Sequence, residues 1–289
     1  MDSKDSTASK GRTLYFDCTS GVSSDMLLGA LVDVGADIGQ VKEALVGLQL
    51  PAFDLKAERI VKNGFAGIQA TVSMHGADGH AAHAPGAPHA HDHSHASGAP
   101  HDAAHTHDHA HSHAHSHDPH ASYRAIRARI EASGMDEAAR QRALRIYRVI
   151  AEAEAAVHGT AVEDVAFHEV GRTEQIVTIC AICAAVGQIG VSRILTSAVH
   201  DGTGQIQTAH GWIPVPVPAV VEILKKSAIP IVIEADVATE MTTPSGLAVL
   251  EGLGAVFSPK LTLLPERSGY GFGRRDTGRF GAVRALIGR

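Results

Sequence analysis

The sequence predicts an α/β protein, a mixed sheet with flanking helices, interrupted by a long disordered His-rich insert. Short β-rich runs and helical periodicities alternate with crossover connections, which favours an α/β or α+β sheet domain over a bundle. Of 289 residues, 44% are hydrophobic and 19% charged, enough apolar material for a packed core and too much for wholesale disorder. Between residues 75 and 120 large apolar side chains almost vanish, while 16 of the 20 histidines gather there.

Each element has a local cause. Thr13 to Cys18 is a β-rich run that stops at the turn-forming Thr19 to Ser24. Asp25 to Asp33 has helical periodicity, with Ser24 or Asp25 as its cap. Asp37 to Leu48 reads as a second helix, and Phe53 to Ile60 and Ala66 to Met74 alternate as strands. The tract at 75–120 cannot bury enough surface to offset its ordering entropy, so a mobile loop is expected. Beyond it, Ser122 to Ser133 and Asp136 to His158 form a helical hairpin joined at Ser133-Gly134-Met135, with Ala143, Ile146, Tyr147, Ile150 and Ala153 on one face. Thr173 to Gly187 is an apolar helix, and Arg193 to His200 a strand. Pro218 to Lys225 is a helix, followed by a strand at Ile229 to Ile233. In the helix Thr243 to Gly252, Pro244 sits in the first turn. Strands at Lys260 to Pro265 and Ala282 to Ile287 complete the order. Three units follow: an N-terminal αβ segment at 13–74, the His-rich loop at 75–120, and a main α/β domain at 121–289.

Composition narrows the function classes. Lys and Arg total 25 against 31 Asp and Glu, a formal charge of -6. No basic field holds a nucleic-acid backbone or an anionic membrane, so neither partner is expected. Aromatics at 4% remove the usual base-stacking platforms. No apolar run reaches the roughly 18 residues of a membrane helix. The polar stretch Met1 to Arg12 does not read as a signal peptide. Three cysteines, Cys18, Cys180 and Cys183, make no disulfide framework, which suits a reducing, cytoplasmic setting. Cys180-Ala-Ile-Cys183 has CxxC spacing, yet it lies in an apolar helix without a second pair and reads as buried thiols.

The histidine tract places imidazole at every second position in His105, His107, His109, His111, His113, His115 and His117. With a reference pKa of about 6.5, imidazole offers a lone pair at neutral pH. A flexible chain can wrap several around nickel, copper, zinc or cobalt, which suits capture and delivery; the tract alone selects none of them. The bland alternative is a low-complexity linker that binds metal incidentally.

Three further groups carry chemistry. His168 and Glu169, ahead of the apolar helix, can act on one site as ligand or general base with an orienting carboxylate, or simply form a packed turn. Glu174 falls in the first helical turn, where the dipole favours a carboxylate. His200-Asp201 at a strand's carboxyl end stands where α/β sheets bind ligands. After it, Gly202 and Gly204 either let backbone approach an anion or only form turns. The following Pro run can pre-organise His210 and Trp212. In Asp17-Cys-Thr-Ser-Gly-Val-Ser-Ser-Asp25, a strand, a small-residue loop carrying Ser20 and Gly21 and a helix start form an anion-binding geometry. No lysine follows in phosphate-loop spacing. Asp17 and Asp25 can instead hold a hydrated cation or serve as cap and turn residues.

In this order, these pieces resemble the LarC nickel-insertion family of nickel-pincer cofactor biosynthesis, over about residues 13 to 289. The markers are Phe16 to Met26, the His-rich insert, Ala151-Glu-Ala-Glu-Ala-Ala-Val-His-Gly159, Phe167-His-Glu-Val-Gly171, Gly202-Thr-Gly204, His210-Gly211 with Pro214-Val-Pro216, Thr243-Pro-Ser-Gly246 and Gly269-Tyr-Gly271. The resemblance implies a lyase-type nickel chelatase or metallocyclase. It would insert nickel into a pyridinium bisthiocarboxylic acid mononucleotide, with CTP as co-substrate and a second divalent cation, Mn or Mg. Two thiocarboxylate sulfurs and a ring carbon of the guest become the nickel ligands, and His168 or Glu169 takes the displaced ring proton. His168 and Glu174 join the tract as metal ligands; Asp17, Ser20, Gly21, Asp25, Gly202, Gly204 and His210 hold the guest. Where the family usually reads Gly-Ala-Val-Asp-Ser-Ile-Val-Asp, this chain reads Gly171-Arg-Thr-Glu-Gln-Ile-Val-Thr178, so one carboxylate survives as Glu174. Family members commonly continue into a part associated with CTP binding. A separately encoded C-terminal half as partner, or a shorter paralogue with altered activity, is therefore expected, and so is a homo-oligomer. Two alternatives stand beside nickel insertion: a non-catalytic nickel storage protein or metallochaperone, and a zinc or manganese hydrolase using His168, Glu169, His200 and Asp201.

Overall fold

The computed structural model describes residues 11–74, 122–168 and 170–289. The tract histidines and Glu169 therefore lie outside the described residues. The chain builds a mixed α/β fold around a seven-stranded sheet. In chain order the elements are β1 (Thr13–Asp17), α1 (Ser24–Asp33), α2 (Ile38–Ala44), β2 (Phe53–Lys62), β3 (Phe65–Met74), α3 (Tyr123–Glu131), α4 (Glu137–His158), α5 (Thr173–Ile189), β4 (Arg193–Thr196), β5 (Val199–Asp201), β6 (Gln205–Thr208), β7 (Gly211–Pro214), α6 (Pro218–Leu224), β8 (Ile231–Ile233), α7 (Pro244–Gly252), β9 (Val256–Phe257), β10 (Pro265–Phe272) and β11 (Ala282–Gly288).

The large sheet runs β2-β3-β10-β11-β1-β4-β9, and two small sheets pair β5 with β8 and β6 with β7. β1 is antiparallel to β11 and parallel to β4. Alternation in β1 sends Leu14 and Phe16 into the core, and each fully buried side chain of this size contributes about 2 kcal/mol. Helix α1 lies flat on β10 because that strand carries Gly269 and Gly271. A Cβ on Gly271 would stand 1.8 Å from the Met26 carbonyl oxygen and 2.3 Å from the Ala30 nitrogen. Asp33 at the end of α1 fixes the register by accepting from Tyr270 N at 2.8 Å.

Helix α4 starts at Asp136, whose side chain accepts from Ala138 N and Ala139 N, and ends at Gly159 in the left-handed conformation. The face predicted from periodicity is buried in full: Ala143, Ile146, Tyr147, Ile150 and Ala153. Helix α5 is apolar all round, and Cys180 and Cys183 are wholly enclosed within it. Burial pushes the Cys180 thiol up to about 12.

Some expectations are corrected. The strand predicted over Arg193 to His200 is two strands in two sheets, because Ser197 and Ala198 leave the ladder: Ser197 Oγ accepts from Cys18 N at 2.8 Å. Residues 205–214, read as loop and Pro run, form the β6–β7 hairpin. The strand placed at Lys260 to Pro265 begins only at Pro265 and runs to Phe272. The second helix stops at Ala44, short of Leu48, and the cap of α1 is Ser23 rather than Ser24 or Asp25.

Asp201 closes β5 and is fully buried. Its Oδ1 accepts from Gly202 N at 2.8 Å, Met241 N at 2.7 Å and Thr242 N at 3.2 Å, while Oδ2 has no partner among the described residues. Burial raises the carboxyl above the usual range, and the three amides oppose that rise. The folded form therefore keeps its proton to higher pH than the unfolded chain does. Its contribution to stability is present in full below about pH 4 and is lost as pH rises through the folded value.

Asp201→Asn keeps an acceptor for the amides and cannot ionise, so urea unfolding between pH 4 and 8 should lose this downward slope; a slope equal to wild type would count against the assignment. Asp201→Ala leaves three amides without their acceptor and should cost about 2–4 kcal/mol in the same measurement. Gly271→Ala should lower stability by about 3 kcal/mol, since backbone on both sides has to move apart. Thermal and urea unfolding of that variant check the figure.

Candidate metal centre

Outside the 75–120 tract the chain has four histidines, His158, His168, His200 and His210. Three of them meet. One ligand atom each from His158, His168 and His210 lies within 4.8 Å of the others, and all three residues are exposed. Ring centroids stand 4.6 Å apart for His168 and His210, 5.2 Å for His158 and His210, and 5.9 Å for His158 and His168.

Each arrives from a different element. His158 is the last residue of α4, where Gly159 (φ 65°) ends the helix. A cation-prone side chain is favoured there by the helix dipole. Its Nε2 stands 3.3 Å from Glu154 Oε2, one helical turn back. His168 follows Phe167, which is buried with its ring against Tyr123 (6.0–6.4 Å for the two tyrosine contacts, Tyr147 the nearer). Tyr147 Oη donates to Val170 O at 3.4 Å on the other side of His168. His210 is in the β6–β7 turn, pinned by His210 N donating to Thr208 Oγ1 at 3.1 Å and by Gly211 at φ 87°.

Metal–nitrogen bonds of about 2.1 Å place ligands on one ion about 3–4 Å apart. The present limit of 4.8 Å is wider than that range. Three imidazole ligands would leave coordination positions open on an ion, the arrangement of a site that exchanges ligands rather than a closed structural one. Thiolate is not on offer: Cys18 is buried and burial pushes its thiol up to about 12, with a Thr196 hydrogen bond opposing.

The other predicted residues have separate surroundings. His200 Nδ1 is 2.6 Å from Glu234 Oε1, and in the tautomer that donates Nδ1–H to this carboxylate the Nε2 carries the lone pair. Asp201 is the buried backbone anchor described above. Gly202 is required by contact with the chain itself, since a Cβ would stand 2.1 Å from Thr239 O, and Gly204 turns at φ 85°. Asp17 Oδ2 accepts from Arg284 Nη2 at 2.6 Å and its Oδ1 from Thr19 Oγ1 at 2.8 Å. Gly21 (φ 83°) brings Val22 N to Met241 O at 3.0 Å. Asp25 and Glu174 share one cavity with Ser24, Gln175, Thr178 and Arg274. Ser20 and Asp25 line a second one of about 230 Å3 with Arg274, Arg275 and Thr243. Sequence reasoning singled out His168 and His210 separately and gave His158 no role beyond ending a helix. Its one signal is its place inside the Ala151 to Gly159 marker.

Comparison with known proteins identifies the family. A family model described as "Nickel insertion protein" matches residues 14–289. A pyridinium-3,5-bisthiocarboxylic acid mononucleotide nickel insertion protein of Acetivibrio thermocellus is 38% identical over 278 residues, 96% of this chain and 60% of the relative. The protein of that name from Lactiplantibacillus plantarum is 40% identical over 277 residues, 96% of this chain and 61% of the relative. A "Putative nickel insertion protein" of Roseiflexus castenholzii is 36% identical, over 96% of this chain and 59% of its own length. The chain thus spans about three fifths of these relatives. No solved structure matches it significantly. No helix among the described residues is long and apolar enough to cross a membrane. By its family-model match and its identity to these relatives, the chain belongs to the nickel insertion protein family.

Proposed function

We propose that this chain holds nickel and hands it to a pyridinium bisthiocarboxylic acid mononucleotide, the metal and the nucleotide both being substrates. The observation that carries this reading is the convergence of His158, His168 and His210 from three separate elements. They are three of only four histidines outside the tract. Imidazole suits Ni(II), and neutral ligands release it readily to two thiocarboxylate sulfurs, which are softer and favour the tetragonal geometry of this ion. The tract histidines, His105 to His117, supply the ion to the trio. His168 acts as a ligand in this scheme. The ring proton displaced by the metal–carbon bond goes to His200 Nε2, whose ring Glu234 orients, with Glu169 next to His168 as the second carboxylate available. Asp25 and Glu174, facing one cavity, are the groups open to a second divalent cation, Mn or Mg. CTP as co-substrate, a homo-oligomer and a separately encoded C-terminal half as partner belong to the same proposal.

Storage by the tract alone is the second reading, favoured by the sheer number of histidines there. Replacing the sixteen tract histidines by serine separates the two. Under the insertion reading one tight nickel per chain remains, measured by equilibrium dialysis with metal analysis; under the storage reading almost none does. In that background His158→Ala, His168→Ala or His210→Ala should each weaken the remaining site by at least about tenfold, since even losing a ligand's orienting partner costs 10–100-fold. Acidification to about pH 5 should release the ion, because protonated imidazole has no lone pair to give. Incubation with the pincer precursor and nickel, with and without CTP, checks insertion directly. The absence of metallated product under both conditions would defeat the reading.

A further inference from the structure

The face of the sheet turned away from α1 carries a further cavity, beside the loop that holds Ser20. It measures about 280 Å3 and is lined by Asp17, Thr19, Ser20, Phe65, Tyr270, Phe280, Ala282 and Arg284. Its floor is a row across three strands: Tyr270 of β10 is in register with Arg284 of β11, and Arg284 with Asp17 of β1. Because strand side chains alternate, this row faces opposite to Gly269 and Gly271, on which α1 lies.

Aromatic residues are scarce in this chain, seven Phe and four Tyr, yet several gather here. Phe65 and Phe280 stand at 5.1 Å, Tyr270 and Phe280 at 5.5 Å, and Phe65 and Tyr270 at 6.2 Å, all edge to face. The buried Phe272 backs Phe280 at 5.5 Å. Phe65, first residue of β3, is 51% exposed, although burying it in the core would have contributed about 2 kcal/mol. Arg284 gives Nη2 to Asp17, and its Nε is buried with no hydrogen-bond partner among the described residues. An orphaned guanidinium N–H beside an open cavity is a donor awaiting an acceptor.

We propose that this cavity binds a cationic six-membered nitrogen heterocycle bearing an anionic substituent, with the ring against Phe65, Tyr270 and Phe280 and the anion on Arg284. Aromatic faces attract a positively charged ring, and a guanidinium N–H not taken by Asp17 gives an anion a charge-assisted hydrogen bond. Asp17 balances Arg284, so the site does not repel the ring's charge. The volume suits one substituted ring with its pentose and is too small for a nucleoside triphosphate. Ser20 lines this cavity and the neighbouring one that holds Arg274 and Arg275, so a phosphate on the pentose has a cationic wall beside it. His200 adjoins the site: its N–H donates to Cys18 O at 3.4 Å. Its partner Glu234 also accepts from Arg279, at 3.2 Å, next to Phe280. Identifying this ring as that of the pincer precursor rests on the function proposed above; the recognition chemistry does not.

The test uses the full chain without metal and three commercial nucleotides: nicotinic acid mononucleotide, nicotinamide mononucleotide and uridine monophosphate. Proton NMR titration should show saturable upfield shifts of the pyridinium protons for the first two, from the ring currents of the cage, and none for the neutral uracil. Phe65→Leu, at a half-exposed position that does not endanger folding, should weaken both pyridinium probes about tenfold. Arg284→Met should abolish the preference for the carboxylate over the carboxamide. Equal binding of uridine monophosphate, or unchanged binding by Phe65→Leu, overturns the proposal. His158→Ala should leave ring binding intact while nickel binding falls, so the failure of one reading is visible apart from the other.

Discussion

The candidate sites depend on one buried carboxylate. Asp201 Oδ1 gathers three backbone amides, from Gly202, Met241 and Thr242, and so nails the end of β5 to the segment leading into α7. That segment in turn holds the loop after β1: Val22 N donates to Met241 O and Thr243 N to Val22 O, at 3.0 and 2.9 Å. Thr242 Oγ1 closes the circuit on His200 O at 2.7 Å. Three stretches far apart in sequence are thus joined into one floor by backbone hydrogen bonds and by the Asp201 and Thr242 side chains. Gly21 and Gly202 are there because a Cβ at either would strike a carbonyl oxygen, at 2.2 and 2.1 Å. Ser20, His200, Met241 and Thr243 take their positions from this floor, and a carboxylate with an unpaired second oxygen is the cost of building it.

Given that frame, the division of ligand types follows from burial. All three cysteines are enclosed, so the protein cannot meet a transition ion with thiolate. What it presents at the surface is imidazole. Under the function proposed above, handing nickel from three imidazole nitrogens to two sulfurs and a carbon would separate no charged protein ligand from the cation. A thiolate trio would hold the metal more tightly and release it less readily.

Much of the fold was legible because core-facing periodicity is local. The α4 face from Ala143 to Ala153 and the enclosed α5 follow from spacing alone. The misplaced strand at 260–265 has a physical cause. Residues 261–264 alternate in exposure, but among the described residues only Leu264 finds a backbone partner, Arg289, and β10 runs from Pro265 to Phe272 with two glycines that strand propensity disfavours. Those glycines make sense only once α1 lies against them. The metal trio was half legible for the same reason. His168 and His210 stand out by their neighbours in sequence, whereas His158 joins them only through the packing of Phe167 against Tyr123 and Tyr147. The aromatic cage joins Phe65 of β3 to Tyr270 and Phe280, more than 200 residues further along the chain, so no short window of sequence contains it.

The departure at residue 178 bears on which cations the fold can hold. The family resemblance places an aspartate there, and this chain has Thr178, whose Oγ1 donates back to Glu174 O at 2.8 Å within the helix. The hydroxyl is thereby committed to its own backbone, and the cavity it lines keeps only Asp25 and Glu174 as carboxylates, with Arg274 beside them. Arg274 Nε stands 3.9 Å from Asp25 Oδ2, so part of the remaining negative charge is already countered. A hard divalent cation, which needs several oxygens and net negative charge, is therefore held less firmly here than a site with the second aspartate would hold it. The imidazole trio loses nothing by this change, because its affinity rests on lone pairs rather than on charge. Of the two candidate sites, the oxygen one is thus weakened and the imidazole one is unchanged, and nitrogen is the donor that suits a borderline ion.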